Sequence, residues 1–220
     1  MKKVIVFMAI ALTVFSCGQE PPPTSPKVSE RKEHFRMLEN TENPKSPADT
    51  AHKSIDTQYV YVDANDHSLI IENSYPKGGL KYTDFMGREY MYAIFWTRIT
   101  NRTTTPLELA IEFPNSLYPL SSSSDRSFRL LIPSDTMTPA KETLFNYGLD
   151  LKKTLDNHLD QPSTLKKSIG AKDISSFYVV TLFNKGVGGV LRTGLRMEGQ
   201  KLFYYVNGKE IECGSITWKR

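Results

Sequence analysis

The strongest constraint on the fold of this chain is Asn207-Gly208, set between two runs of alternating apolar and polar residues. Asn-Gly readily adopts the two positive φ angles that a two-residue hairpin loop requires. This turn pairs Tyr204 with Ile211 and Leu202 with Cys213. Gly199-Gln200 reads as a second tight turn, pairing Met197 with Leu202 and Leu195 with Tyr204. Side chains alternate between the two faces of a strand. One face of this meander therefore collects Leu195, Met197, Leu202, Tyr204, Ile211 and Cys213, while Arg196, Phe203 and Glu212 line up on the other. Gly194 falls opposite Tyr205, where a ring can cover the gap above a strand glycine. After Cys213 the apolar parity moves to Ile216 and Trp218, which predicts a bulge or turn at Gly214.

The same alternation recurs upstream. Tyr59-Val60-Tyr61-Val62 and Ser68-Leu69-Ile70-Ile71 read as strands around Asp63-Ala64-Asn65-Asp66, a turn built on Asx side chains. That loop lacks the glycine and glutamate of a calcium loop. From Glu89 to Thr100, Met91, Ala93, Phe95, Thr97 and Ile99 share one face; Tyr90, Tyr92, Ile94, Trp96 and Arg98 share the other. Leu107, Leu109, Ile111 and Phe113 alternate with Glu108, Ala110 and Glu112. Matching core faces across the turn at 101–106 predicts a hairpin with Ile99 opposite Leu107, Phe95 opposite Ile111, Trp96 opposite Ala110 and Arg98 opposite Glu108. Phe177 to Phe183 is apolar on both faces and reads as a central strand. Thr138-Pro139 opens and Gly148 stops a helical stretch, and Leu151, Leu155 and Leu159 repeat at helical spacing beyond it. The expected fold class is mainly β: an immunoglobulin-like antiparallel β-sandwich over 57–220, with a short helical insertion near 138–160.

The other end of the chain has a different character. Lys2 and Lys3 precede Val4 to Phe15, an apolar run broken only by Thr13. A helix of that length covers about 18 Å, short of a bilayer core of ~30 Å. A charged start, a short apolar run and a small-residue exit mark a secretory signal. The exit, Val14-Phe15-Ser16-Cys17, resembles the lipobox of bacterial lipoproteins. The resemblance implies cleavage before Cys17, with 1–16 as signal peptide, and lipid on the Cys17 thiol as a membrane anchor. An ordinary signal peptide or an uncleaved anchor is the alternative. Residues 17–56 carry six prolines among charged and polar residues, from Pro21 to Pro47. They read as a lipidated cysteine and a disordered tether, within which Ser29-Glu30 could cap a short helix through Leu38. The tether's reach is about 35 Å.

Charge and cysteine usage narrow the chemistry. The formal net charge of +4 falls to +2 without Lys2 and Lys3 and is evenly spread, which argues against nucleic acid as a partner. Cys213 is the only cysteine besides Cys17, so no intramolecular disulfide is expected in the mature domain. The meander register puts its thiol on the core face, where cysteine is packing rather than nucleophile. His34, His52, His67 and His158 have no metal-ligand spacing, and no cofactor is implied. Gly186-Val187-Gly188-Gly189 lacks a Lys-Ser ending and a following helix, so it reads as a hairpin loop rather than a phosphate cradle. Arg192 and Arg196 share a strand face, with Glu212 as the cross-strand neighbour of Arg196. The candidate ligand-binding surface is the stripe of Tyr90, Tyr92 and Trp96, an aromatic platform suited to a sugar or a peptide unless the insertion covers it.

Together these features resemble small lipoproteins of Bacteroidota-type bacteria. The turn from Arg98-Ile99-Thr100-Asn101 to Pro106-Leu107-Glu108-Leu109 is similar to strand-turn-strand units of exported immunoglobulin-like domains. The expected function is a non-catalytic binding or assembly module of the cell envelope. It would be held to a membrane through Cys17, with a protein or glycan partner. An envelope hydrolase is the alternative and requires His158, Asp156 and Glu142 to converge. An inhibitor or immunity lipoprotein is another.

Overall fold

A computed structural model describes residues 36–38, 54–62, 68–121 and 125–219. The signal segment, Cys17, most of the expected tether and the turn at 63–66 lie outside the described residues, as do His34, His52 and His67.

Thirteen strands fill the described residues. They are β1 (Arg36–Leu38), β2 (Ile55–Val62), β3 (Ser68–Ser74), β4 (Lys77–Thr83), β5 (Glu89–Asn101), β6 (Leu107–Phe113), β7 (Tyr118–Pro119), β8 (Ser127–Leu131), β9 (Ser163–Ile169), β10 (Ile174–Phe183), β11 (Thr193–Glu198), β12 (Lys201–Val206) and β13 (Lys209–Trp218). The helix α1 (Leu151–His158) follows two 3-10 turns at Pro139–Lys141 and Phe145–Gly148. The larger sheet runs β1-β2-β3-β5-β10-β8-β7, with β4 also pairing β5; the smaller runs β11-β12-β13-β6-β9. Every pairing is antiparallel. The two sheets form a curled sandwich, with the short helical insertion that the sequence predicts. Arg36–Leu38, placed by its sequence at the end of a helix, is instead an edge strand on β2.

Two layers of apolar side chains hold the molecule together. Between the sheets lie the inner faces of β5 and β10, with Phe95, Ile99, Phe177 and Val179, against Leu107, Leu109, Ile111, Leu195, Leu202 and Tyr204. On the outer face of the large sheet, Tyr82, Tyr90, Tyr92, Ile94, Trp96, Tyr178 and Val180 pack under Tyr147, Leu149, Leu151, Leu155 and Leu159. Strand β10 is therefore apolar on both faces because it is covered on both.

The C-terminal meander has the expected register at Leu195/Tyr204, Met197/Leu202 and Tyr204/Ile211. Gly214 is the predicted irregularity. The register slips between Leu202 and Phe203, so Leu202 faces Gly214 rather than Cys213. A Cβ at Gly214 would lie 1.9 Å from the Ala110 carbonyl oxygen, so only glycine admits β6 at this point. Beyond it β13 continues along β6, pairing Ile216 with Leu109.

The hairpin expected between β5 and β6 does not form. Strand β5 pairs with β3, β4 and β10, and β6 with β13 and β9. Strands that face each other across a sandwich present matching apolar faces just as hairpin partners do, so parity alone does not separate the two arrangements. The corner is built by Asn101, whose Oδ1 accepts from the Thr103 N–H (3.0 Å) and hydroxyl (2.7 Å). Its Nδ2 donates to the carbonyls of Thr105 and Gly170, both at 2.9 Å. Trp96 consequently lies opposite Tyr178, and Glu108 pairs with Lys219 at 2.7 Å. The glycine-rich stretch 186–189 is likewise a crossover from β10 to β11 between the sheets, not a hairpin.

One buried side chain stitches the two sheets. Asn73 on β3, 2% exposed, accepts at Oδ1 from the Leu195 N–H (2.8 Å) and the Thr97 hydroxyl (3.0 Å). Its Nδ2 donates to the Leu195 carbonyl and to Thr57 Oγ1, each at 3.1 Å. Gly194 makes room, since a Cβ there would stand 2.8 Å from Asn73 Nδ2 and from the Tyr205 hydroxyl. Nearby, the Met197 N–H donates to the buried Tyr61 hydroxyl at 2.7 Å.

Candidate functional site

Tyr90, Tyr92 and Trp96 occupy the outer face of β5, as the alternation places them, but they form no open platform. They are 8%, 7% and 0% exposed. The insertion covers them because Leu151, Leu155 and Leu159 fall on one face of α1 and supply the third apolar layer. Asn146 and Tyr147 turn back onto the sheet with φ of 50° and 55°, a backbone region that asparagine tolerates and that is unfavourable for a bulky tyrosine. Polar contacts hold them there. Asn146 Nδ2 donates to the Tyr92 hydroxyl (3.1 Å), the Tyr147 hydroxyl to the Tyr75 carbonyl (2.7 Å), and the Tyr178 hydroxyl to the Tyr147 carbonyl (2.8 Å). Lys77 Nζ donates to the carbonyls of Glu142 (2.6 Å) and Leu144 (2.7 Å) while lying over the Tyr147 ring. The aromatic stripe is a covered core, and the expectation of a ligand-binding surface there is corrected.

The rim of this covered layer is the site with binding geometry. The Arg98 guanidinium lies 4.7 Å from the centre of the Trp96 ring. It pairs with Glu72 at 3.4 Å and with Glu142 from the insertion, rather than with the expected Glu108. Gln58 Nε2 donates to Glu72 at 2.9 Å. This ionic strip lies along a cleft of about 900 Å³ lined also by Thr100, Thr138, Ser176 and Ile174. Arg102 and Lys167 line it as well, and neither side chain has an ion-pair partner among the described residues. A recess of about 290 Å³ shares Thr136, Lys167 and Ser176 with the cleft and extends to His158. The combined groove separates the segment 132–138 from β9.

Lys167 was not legible as a site residue. Lys166-Lys167 interrupts the apolar pattern of 163–169, so the sequence gives no strand signal there. Yet Lys167 pairs with Leu109 and shares its core-side parity with Leu165 and Ile169. Its side chain is exposed at the open edge, and a lysine at such a position on an edge strand is a recognised defence against unwanted strand pairing.

Of the other chemical candidates, Glu142 and His158 line the two parts of this groove, whereas Asp156 does not line it. Asp156 binds Lys152 (2.5 Å) and the Tyr82 hydroxyl (2.7 Å), Glu142 belongs to the Arg98 strip, and His158 lines the recess. Arg192 pairs with Asp56 at 3.2 Å. Arg196 pairs with Glu210 (2.6 Å) and Glu198 (2.5 Å), while Glu212 takes Lys201 at 3.0 Å. Among the described residues no three His, Cys, Asp or Glu side chains group as metal ligands, and no helix is long and apolar enough to cross a membrane.

Cys213 is 4% exposed, and its Sγ lies 3.5 Å from the Leu202 carbonyl. Burial pushes its thiol from 9.0 up to about 12. The protonated thiol is thus favoured in the fold. Its stabilising contribution is fully present below pH 9.0 and is lost as the pH rises towards about 12. Melting temperature is expected to fall between pH 9 and 11, and Cys213→Ala should make that decline shallower. A slope unchanged by the substitution would contradict the buried-thiol assignment.

No protein family, curated protein or solved structure matches the chain.

Proposed function

We propose that this chain is a lipid-anchored, non-catalytic binding or assembly module of a bacterial cell envelope, attached through Cys17, and that its binding surface is the cleft beside Arg98. The observation that carries the reading is this cleft of about 900 Å³, lined by a paired ionic strip and by Arg102 and Lys167 with free charges. Salt-bridged floors are rigid polar surfaces, and free cations at a rim act on partner choice and encounter rate. A protein or a glycan fits such a surface; a hydrolase has less support, since Glu142 is held in an ion pair with Arg98, Asp156 is engaged by Lys152 and Tyr82 outside the groove, and the core cysteine is neutral.

Two measurements test the reading. Cys17→Ser should abolish incorporation of labelled fatty acid and release the chain from the membrane fraction, while Cys213→Ser should leave labelling intact. A photocrosslinking residue at Thr136, in the cleft, should capture a protein or glycan in whole cells, while one at Lys209, on the hairpin tip far from it in the sheet order, should not. Labelling that survives Cys17→Ser removes the anchor, and an empty cleft in whole cells removes the binding role.

A further inference from the structure

Strand β8 accompanies only half of β10. It pairs with Val180 to Phe183, whereas β5 pairs with β10 over its whole length from Ile174. Neighbouring residues of an antiparallel strand direct their N–H and C=O groups to opposite sides. The Asn101 N–H donates to the Asp173 carbonyl, and the Asn184 N–H donates to the Ser127 carbonyl. Odd-numbered residues of β10 therefore bond to β5, and even-numbered ones face the β8 side. On that side Val180 meets Leu131, and the same register would set Tyr178 against Pro133. Proline has no N–H to give, so the ladder stops there. Among the described residues no backbone hydrogen bond outside the sheet ladders reaches Ser176 or Tyr178.

This open half-edge coincides with the groove. Ser176 and Phe177 line the recess, and Ile174 and Ser176 line the cleft. Segment 132–136 stands on one side and Leu165 and Lys167 of β9 on the other. Ser175 Oγ, in the same stretch and 3% exposed, also has no hydrogen-bond partner. The Ile174 N–H is taken by the Asp173 carboxylate at 2.7 Å, which leaves the main-chain groups of Ser176 and Tyr178 open on this side; open strand groups at the base of a groove are completed by another strand. Arg102 and Lys167 line the cleft together with Ile174 and Ser176, and Lys167 lines the recess as well.

We propose that the half-edge Ile174–Tyr178 of β10 takes an extended polypeptide segment of a partner as an added strand, bonded to the N–H and C=O of Ser176, with an acidic side chain of that segment against Arg102 and Lys167. This rests on the binding-module reading and names the chemical class of its partner. Main-chain bonds supply affinity, and the two cations supply register.

Amide hydrogen exchange on the full chain is the first test. The Ser176 amide should exchange roughly tenfold or more faster than that of Val180, whose partner strand is present. Equal protection of the two overturns the proposal. So does protection of Ser176 together with amides in 39–53, which would make the chain's own tether the occupant. The second test uses a library of synthetic decapeptides alternating β-branched with polar or acidic residues. Acid-containing members should bind, and Lys167→Glu should weaken them about tenfold, the scale of one lost charge contact. Methylating every second backbone nitrogen of a bound peptide should abolish binding in one phase and spare it in the other. Binding indifferent to that phase, or no binding by any member, overturns the proposal; capture at Thr136 and lipid labelling at Cys17 report separately on the parent reading.

Discussion

Trp96→Ala is expected to lower the unfolding free energy by about 3–5 kcal/mol, the range for removing a large buried aromatic side chain. For a domain of this size that corresponds to a drop in melting temperature of roughly 8–15 °C. The ring is 0% exposed, meets Tyr147 edge-on at 6.5 Å and carries Arg98 above it. Its loss therefore acts on both the large sheet and the insertion. Amides of α1 and of the turn at Asn146–Tyr147 should exchange faster in the variant than those of β12. Trp96→Phe should be much milder. The indole Nε1 is buried without a hydrogen-bond partner, a cost of about 1–3 kcal/mol that phenylalanine removes while leaving a smaller void. A loss below about 1 kcal/mol for the alanine variant would show that the insertion does not depend on this ring.

Asn73→Ala is expected to be comparably severe for a different reason. It leaves the Leu195 N–H and C=O and the Thr97 hydroxyl buried without their partner. Each such orphan costs about 1–3 kcal/mol, and a loss near 3–5 kcal/mol overall is a large share of a typical domain's stability. The weakening should concentrate in β11, which is anchored to the large sheet by this residue. Urea titration of the two variants separates the cases. Trp96→Ala should open the insertion before the sandwich, whereas Asn73→Ala should shift one cooperative transition. An Asn73→Ala protein within about 1 kcal/mol of the parent would mean that water replaces the amide without loss.

Local features of the fold were legible where the chain dictates them locally. Asn207-Gly208, the parity of Leu195 to Cys213 and the break at Gly214 follow from turn chemistry and a two-residue period, and they sit where these place them. The partner of β5 was not legible. Ile99 and Leu107 match across a hairpin as well as across a sandwich, and only the Asn101 corner, a network of side chain to backbone, decides between them. The face of Tyr90, Tyr92 and Trp96 was readable, whereas its cover depends on where Leu151, Leu155 and Leu159 are carried by a long connection. The groove was hidden for a related reason. It arises from a proline without a donor at 133 and from Lys167 at a position of core-side parity, and neither signals anything until the strands beside them are known.

The placement of Cys213 gives the domain a built-in clock. After export and lipid attachment as proposed, this would be its one free thiol, and burial holds it neutral at any physiological pH. A thiol reagent can reach it only when β12 and β13 part, so the pace of modification under native conditions counts openings of the sandwich rather than surface chemistry. The oxidants of a cell envelope face the same restriction, and damage at this sulfur would record how often the molecule has come undone.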